Sequence, residues 1–384
     1  MSAEFPSSSS SNPSSTRPLI EVAIVAPSLA ILGGQAVQAR RLIDAWENDR
    51  DVHVWLVPIN PQPHRWLQPL MKIKFLRTVV TQLMYWPLLL REIARADLAH
   101  VFSASYASFL LAPLPAITIA RLLGKRVLLN YHSGEAPDHL RRSRLARRVL
   151  RSVDLNVVPS RFLQGVFSAN GIESRVIPNI IDRTQFRFRL RDPLRPRIVS
   201  TRNFEPLYNV ACTIRAFARV QRNHPDASLV LVGGGSEEST LRSLVEGLGL
   251  RNVTFAGRVP PGEIWRFYDQ ADIYVQTPNI DNMPLSIVEA YASGLPVVST
   301  EAGGVPSMLT DGTHGLLAPL DDDQQVAARV ERLLAEPGVA PRLARAAFAL
   351  TDNLNWDRVR EQWIDAYRAS LTDGVAEPSM VRPI

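Results

Sequence analysis

A single cysteine, Cys212, occurs in 384 residues. That excludes an intramolecular disulfide and leaves no thiol cluster for zinc. A secretory leader is also missing: residues 1–18 are Ser/Pro-rich, with five serines at Ser7–Ser11 and no basic segment followed by an apolar one. Such a segment cannot bury enough apolar surface to order itself, which predicts a disordered tail. No apolar run reads as a bilayer span. Val101–Ala120 carries no charge but holds Pro113, Pro115 and three serines, and reads as a buried helical hairpin. Val79–Leu90 is too short to cross. With Lys72, Lys74 and Arg77 before it and Trp66, Tyr85 and Trp86 nearby, it suits either a helix lying in a membrane interface or an ordinary packing helix. A short-period repeat is absent, which excludes a solenoid. Asp321, Asp322 and Asp323 form the one metal-like acidic run. They precede a helical stretch, Gln324–Leu334, where helix capping explains them better, so no metal is expected.

What is present is a chain with 46% hydrophobic and 21% charged residues, enough to build a core, and a length that suits two domains. The net charge is +6, and residues 61–151 carry all of the basic excess, with fifteen Lys/Arg against four Asp/Glu. Arg141–Arg151 reads as a basic helix with an apolar stripe of Leu140, Leu145 and Val149. Its charges are either a solvated face or a surface for phosphate or lipid headgroups. No recognition motif accompanies them, so nucleic acid is not an expected partner.

Strands and helices alternate along the chain. Glu21–Pro27, Val52–Val57, Leu98–Phe102, Arg126–Asn130, Val153–Val158 and Arg175–Ile177 are short apolar runs with helical segments between most of them. The pattern restarts at Arg197–Thr201 and continues through Ser228–Val232, Val253–Phe255, Ile273–Gln276 and Val297–Ser299. Continuous apolar strands of this kind belong to parallel sheets covered on both faces. The chain therefore divides into a tail (1–18), two α/β halves (19–187 and 188–365) and a terminal segment (366–384). The Arg- and Pro-rich stretch Phe186–Pro196 reads as the linker.

Four motifs carry candidate chemistry. Gly33 and Gly34 lie between the first strand and first helix. They serve either as a tight turn or as a place where a phosphate approaches backbone N–H groups. Gly233–Gly235 repeats the arrangement in the second half, which points to a ligand held between the halves. His132 lies in the Gly-containing loop Tyr131–Ala136 after an apolar strand, as a site residue or a structural one. Asp281 and Glu289 are eight apart, one in a polar loop and one on the helix that follows. They accept either ligand hydroxyls or a helix cap and solvent.

Together these pieces resemble retaining glycosyltransferase family 4, over nearly all of residues 20–370. The most specific part is Asp281–Pro306, which is similar to the family's donor-binding segment with its paired carboxylates. Val176–Asp182 with Phe186 is similar to its domain junction, and Gly233–Val259 to its nucleotide-side loop, helix and strand. The resemblance implies an α/β architecture of the GT-B type: two Rossmann-like domains whose parallel sheets face a central cleft. It also implies a metal-independent retaining transferase that moves a sugar from a nucleotide-diphosphate sugar to a glycolipid, polysaccharide or small-molecule acceptor, with no separate cofactor. Glu289 would then bond the ribose. Asp281 and the backbone of Met283, Pro284, Leu285 and Ser286 would hold the sugar, with His132 beside it. Gly34 would approach the diphosphate, Gly33 and Gly234 would belong to the same donor site, and Arg258 and Val259 would border the base. The acceptor is expected on the first domain, lipid-linked or anionic. Peripheral contact with an anionic membrane, through residues 66–95 and 139–151, and a cytoplasmic location complete the expectation.

Two departures stand out. Asp281 replaces the usual glutamate. Where the family has G-R-L-x-x-x-K, this chain reads Arg202 to Tyr208. Aligned without gaps, Asn203 replaces the arginine and Tyr208 the lysine, and Arg202 is one position off, useful only through a local backbone change. Losing one donor to a developing anion costs roughly 10²–10³ in rate. The alternatives are accordingly a GT-B binding or partner subunit with weakened catalysis, or a GT-B epimerase or phosphorylase.

Overall fold

The computed structural model describes residues 19–30, 33–65, 68 and 73–372. The predicted tail at 1–18, the segment beyond 372, and Trp66 and Lys72 lie outside the described residues. The first half contains β1 (Ile20–Ala26), α1 (Gly34–Ala45), β2 (Val52–Pro58), α2 (Lys74–Ala94), β3 (Leu98–Ser103), α3 (Tyr106–Leu111) and α4 (Pro113–Leu122). It continues with β4 (Arg126–Tyr131), α5 (Ala136–Arg142), α6 (Arg144–Leu150), β5 (Leu155–Val158), α7 (Arg161–Ala169) and β6 (Arg175–Val176). The second half holds β7 (Arg197–Thr201), α8 (Val210–Asn223), β8 (Ser228–Val232), α9 (Glu238–Gly247), β9 (Val253–Gly257), α10 (Trp265–Gln270) and β10 (Ile273–Gln276). There follow α11 (Leu285–Ala292), β11 (Val297–Thr300), β12 (Leu316–Ala318), α12 (Asp323–Ala335), α13 (Val339–Leu350) and α14 (Trp356–Leu371).

The strands form two six-stranded parallel sheets, ordered β2-β1-β3-β4-β5-β6 and β12-β11-β10-β7-β8-β9. β1 shows why. Successive side chains on a strand point to opposite faces. Val22 and Ile24 join Leu42, Trp46 and Phe102 on one face of the sheet. Ala23 and Val25 join Tyr85, Leu89 and Ile93 of α2 on the other. A strand buried on both sides needs the unbroken apolar run that the sequence has. Cys212 is buried in α8, and burial pushes its thiol up to about 11.

Four expectations change. α14 packs on the first sheet, not the second: Trp363, Ile364 and Tyr367 join the β1 face, and Arg360 pairs with Asp49 (2.6 Å) and Asp51 (2.7 Å). Residues 356–365 thus stand with the first half, because an apolar stripe on a helix says that it packs but not where. The linker segment is no solvated tether. Arg191 is buried in it and donates to the carbonyls of Tyr268 (2.8 Å) and Ala271 (3.1 Å). The basic helix breaks at Ser143, whose hydroxyl caps α6 by accepting from the Ala146 N–H (3.1 Å). Leu140 and Val149 are buried but Leu145 is exposed, so it leaves the predicted stripe. Asp322 behaves as expected, accepting from the Gln325 N–H (2.9 Å) at the start of α12.

Candidate active site

The carboxyl ends of the two sheets face each other across a cleft of about 630 Å³. In open α/β sheets ligands bind at such ends, where loops leave the strands. The loops after β1, β4, β7, β8, β9 and β10 bring Gly33, His132, Arg202, Gly233, Arg258 and Asp281 onto one wall or the other. The halves touch directly here. A Cβ on Gly134 would come within 3.0 Å of the Asp281 backbone, and the Asn179 amide donates to the Met283 carbonyl (3.2 Å).

All but one of the residues singled out in the sequence line this cleft: Gly33, Gly34, His132, Arg202, Asn203, Tyr208, Arg258, Val259, Asp281, Met283, Pro284, Leu285, Ser286 and Glu289. The exception is Gly234, whose place on the wall is taken by Gly233. Gly234 lies under the side-chain stem of Arg258, 3.2 Å from where its Cβ would be. Gly233 has φ of +152°, and a Cβ there would overlap the Arg202 carbonyl oxygen, so glycine is what lets the loops after β7 and β8 meet.

Gly33 precedes α1 with extended backbone, φ −176°, which any residue adopts. A turn therefore does not require glycine at this position. A Cβ on Gly33 or Gly34 meets nothing within 4 Å, so the absent side chains leave open space in front of a helix N-terminus. That space, with unpaired N–H groups and partial positive charge, suits a phosphate.

The charge missing from the sequence alignment reappears in three dimensions. The Arg202 guanidinium stands in the cleft beside Asn203. It donates to the Asp281 carboxylate (2.6 Å) and the Ser286 hydroxyl (3.1 Å), and lies 4.0 Å from the Tyr208 ring centre. Arg202 and Asp281 are both almost fully enclosed. Burial pushes the Asp281 carboxyl above its ordinary value, and Arg202 opposes that rise. Ser286 is fixed in turn by donating to Gln276 (3.0 Å). Tyr208 ends a tight turn, after which Asn209 caps α8 in the left-handed conformation.

Glu289 has both oxygens engaged, one by Arg41 (2.6 Å) and one by the Tyr268 hydroxyl (2.8 Å). Neither partner was marked in the sequence. A signal for Arg41 existed, since it stands seven residues after Gly34 and shares its helix face. None pointed to Tyr268. His132 stacks on Phe102 (5.1 Å between ring centres), and its Nε2 is shielded without a partner. Burial pulls its pKa down to about 3, so the ring is neutral near neutral pH. A neutral imidazole on the wall of the cleft is a hydrogen-bonding group for hydroxyls. Among the described residues no cluster of three His, Cys, Asp or Glu is placed to hold a metal ion.

A family model described as Glycosyltransferase Family 4 matches residues 32–185, and one described as Glycosyl transferases group 1 matches residues 182–349. D-inositol 3-phosphate glycosyltransferase of Acidothermus cellulolyticus is 32% identical over 44% of this chain, and the match spans 40% of that relative's length. The GDP-mannose-dependent alpha-(1-6)-phosphatidylinositol monomannoside mannosyltransferase of Mycolicibacterium smegmatis is 29% identical over 69% of this chain and 75% of its own. The crystal structure of Anabaena HepE in complex with UDP-glucose superposes with a TM-score of 0.73, at 18% identity, over 91% of this chain and all of that one. Two facing parallel sheets, the cleft between them and the family matches to both halves lead to one conclusion: this chain is a member of glycosyltransferase family 4 with the GT-B fold.

Proposed function

We propose that the chain transfers a sugar from a nucleoside-diphosphate sugar to an acceptor, with retention at the anomeric carbon and without a metal ion. The observation that carries the reading is the meeting, in one cleft, of the open N-terminus of α1, the Arg202–Asp281 pair, Glu289 and a neutral His132. The diphosphate would lie against Gly33 and Gly34, where α1 and Arg202 offset the charge that develops as it leaves. Asp281, Ser286 and His132 would bond sugar hydroxyls, and Glu289 the ribose. The acceptor would enter along the first domain and attack on the face the diphosphate leaves, giving its proton to the departing phosphate. Arg202 supplies one of the two charges whose loss motivated a non-catalytic partner reading. Because it is paired with Asp281, the helix terminus and the exposed Arg258 complete the positive end of the site.

One relative named above is described as GDP-mannose-dependent and HepE was crystallised with UDP-glucose, so the test is calorimetry against UDP- and GDP-sugars, followed by a turnover assay in the presence of EDTA. Tight binding with turnover supports the reading. Binding without nucleotide release would favour a partner subunit. Glu289→Gln should weaken nucleotide-sugar binding about 10- to 100-fold, the worth of a hydrogen bond to a charged group. A folded Glu289→Gln chain with unchanged binding and transfer removes the site assignment.

The reading extends to a lipid-linked or anionic acceptor and to peripheral contact with an anionic membrane at the cytoplasmic face. α2 supports this. Its buried side, Tyr85, Leu89 and Ile93, packs on the first sheet. A second apolar seam, Phe75, Val79, Leu83, Trp86 and Leu90, is exposed, with Arg77 and Arg91 exposed on the same helix. The buried side is that of a packing helix, and the neighbouring exposed seam supports the interfacial reading. Among the described residues no helix is long and apolar enough to cross a membrane.

A further inference from the structure

The carboxylates that line the cleft are those of Glu135, Asp281 and Glu289. Asp281 is held by Arg202 and Glu289 by Arg41, each at 2.6 Å. The Glu135 carboxylate has no hydrogen-bond or ion-pair partner among the described residues. It stands just before α5 but does not cap that helix. The arginines of α5 turn to its neighbour instead. Arg141 (2.6 Å) and Arg142 (2.9 Å) both pair with Asp138, which also accepts from the Tyr106 hydroxyl (2.6 Å). Glu135 is half-buried all the same, and burial, followed by the Asp138 charge, holds its carboxyl above the ordinary value.

Glu135 lies close to the proposed point of transfer. Its backbone N–H donates to the Ser133 hydroxyl (3.2 Å), which fixes the turn. Gly134, one residue before, abuts the Asp281 backbone, where a Cβ would come within 3.0 Å. Across the cleft, burial raises the Tyr208 hydroxyl, Arg202 opposes the rise, and the charges of Asp281 and Glu135 add to it. Glu135 thus occupies the first-domain wall within electrostatic reach of the Arg202–Tyr208 stack. The same wall carries the hydroxyls of Ser108 and Ser133.

A half-buried carboxylate without a partner has an unmet need for donors. Its surroundings restrict what supplies them. A phosphate would meet like charge at Glu135. An ammonium would satisfy the carboxylate and gain little from the two serines. Hydroxyl groups serve the whole wall, because each donates to the carboxylate and exchanges hydrogen bonds with a serine hydroxyl.

We propose that Glu135 is an acceptor-binding residue that selects a neutral sugar: its carboxylate accepts hydrogen bonds from hydroxyls of a sugar ring held against the first-domain wall. This rests on the reading above that the cleft transfers a sugar from a nucleotide donor. It refines the acceptor. Whatever lipid or charge the acceptor carries elsewhere, the end that reaches the transfer point is uncharged.

The test is steady-state transfer by the full chain from UDP-glucose or GDP-mannose, whichever binds. The acceptor probes are methyl α-glucoside, methyl α-mannoside and the 6-phosphate of each. Wild type, Glu135→Gln and Glu135→Lys are compared, and donor affinity is measured separately by calorimetry. The wild type should use a neutral glycoside with a lower KM than its phosphate. Glu135→Gln keeps an oxygen but not the charge, so it should raise that KM about tenfold and leave donor affinity as it is. Glu135→Lys should reverse the preference in favour of the phosphates. If Glu135→Lys does not fold, Glu135→Gln decides alone. An unchanged acceptor KM in Glu135→Gln overturns the proposal, as does a wild type that prefers the phosphates, or one that binds a donor and transfers to none of the probes. Equal losses of donor affinity and acceptor use in Glu135→Gln would mean that the side chain only shapes its loop, and would overturn it too. A wild type that binds no nucleotide-sugar fails at the transfer reading itself, and the proposal falls with it.

Discussion

Arg202 is the side chain on which the proposed transfer turns. Its guanidinium is shared among Asp281, Ser286 and the face of Tyr208, so its position is fixed before any ligand arrives. A cation held in place next to a leaving diphosphate needs no reorganisation as charge develops, and this is where electrostatic stabilisation is most effective. Arg202→Gln is therefore expected to lower kcat by about 10²–10³, with a smaller effect on donor KM, measured as nucleotide-diphosphate release. An unchanged kcat would mean that Arg202 does not bear the charge of the leaving diphosphate. Arg202 was within reach of the sequence but was judged one position out of place. A gapless alignment fixes residue order, whereas the backbone path of the loop after β7, which meets Gly233, decides what the Arg202 guanidinium reaches.

At the scale of elements, α2 has two apolar seams, and only one of them is covered among the described residues. The inward seam follows from the first sheet's need for cover. The outward one, with Phe75 83% and Leu83 70% exposed, stabilises nothing in the molecule as it stands. Burying one large apolar side chain is worth about 1.5–3 kcal/mol. The double variant Phe75→Glu/Leu83→Glu should therefore weaken binding to anionic vesicles by roughly a hundredfold, while leaving the fold intact because both side chains are exposed. Liposome flotation at low and high salt measures this. A wild-type chain that stays in the soluble fraction at both salt levels removes the membrane reading. Basic charge and apolar spacing made this surface visible in the sequence. The direction in which each seam points needed the packing of α2 against β-strands and α4.

Across the whole molecule, α14 returns to the first sheet and ties the end of the chain to its beginning. His100 of β3 lies wholly buried beneath it, with its ring bonded to the Tyr367 hydroxyl (3.0 Å) and to the Asn130 amide (3.2 Å). Burial pulls His100, like His132, from the ordinary 6.5 down to about 3. Below pH 6.5 the unfolded chain takes up these protons while the folded chain does not, so acid favours unfolding. Stability should be flat in these groups above pH 6.5. Between there and about pH 3 it should fall by up to about 1.4 kcal/mol per pH unit for each histidine. Urea midpoints across that range, with His100→Gln lowering the slope by up to about 1.4 kcal/mol per pH unit, check this. An unaltered slope would mean that His100 protonates without loosening α14. The sequence by itself determined the two parallel-sheet halves and the glycine, histidine and carboxylate positions at their strand ends, because apolar period and strand–loop–helix order are local properties. Only the tertiary structure decided that Arg202 meets Asp281, that Arg41 reaches Glu289 and that α14 belongs to the first sheet. Each of those contacts joins residues far apart in the chain, and nothing in either segment alone records which distant surface will close over it.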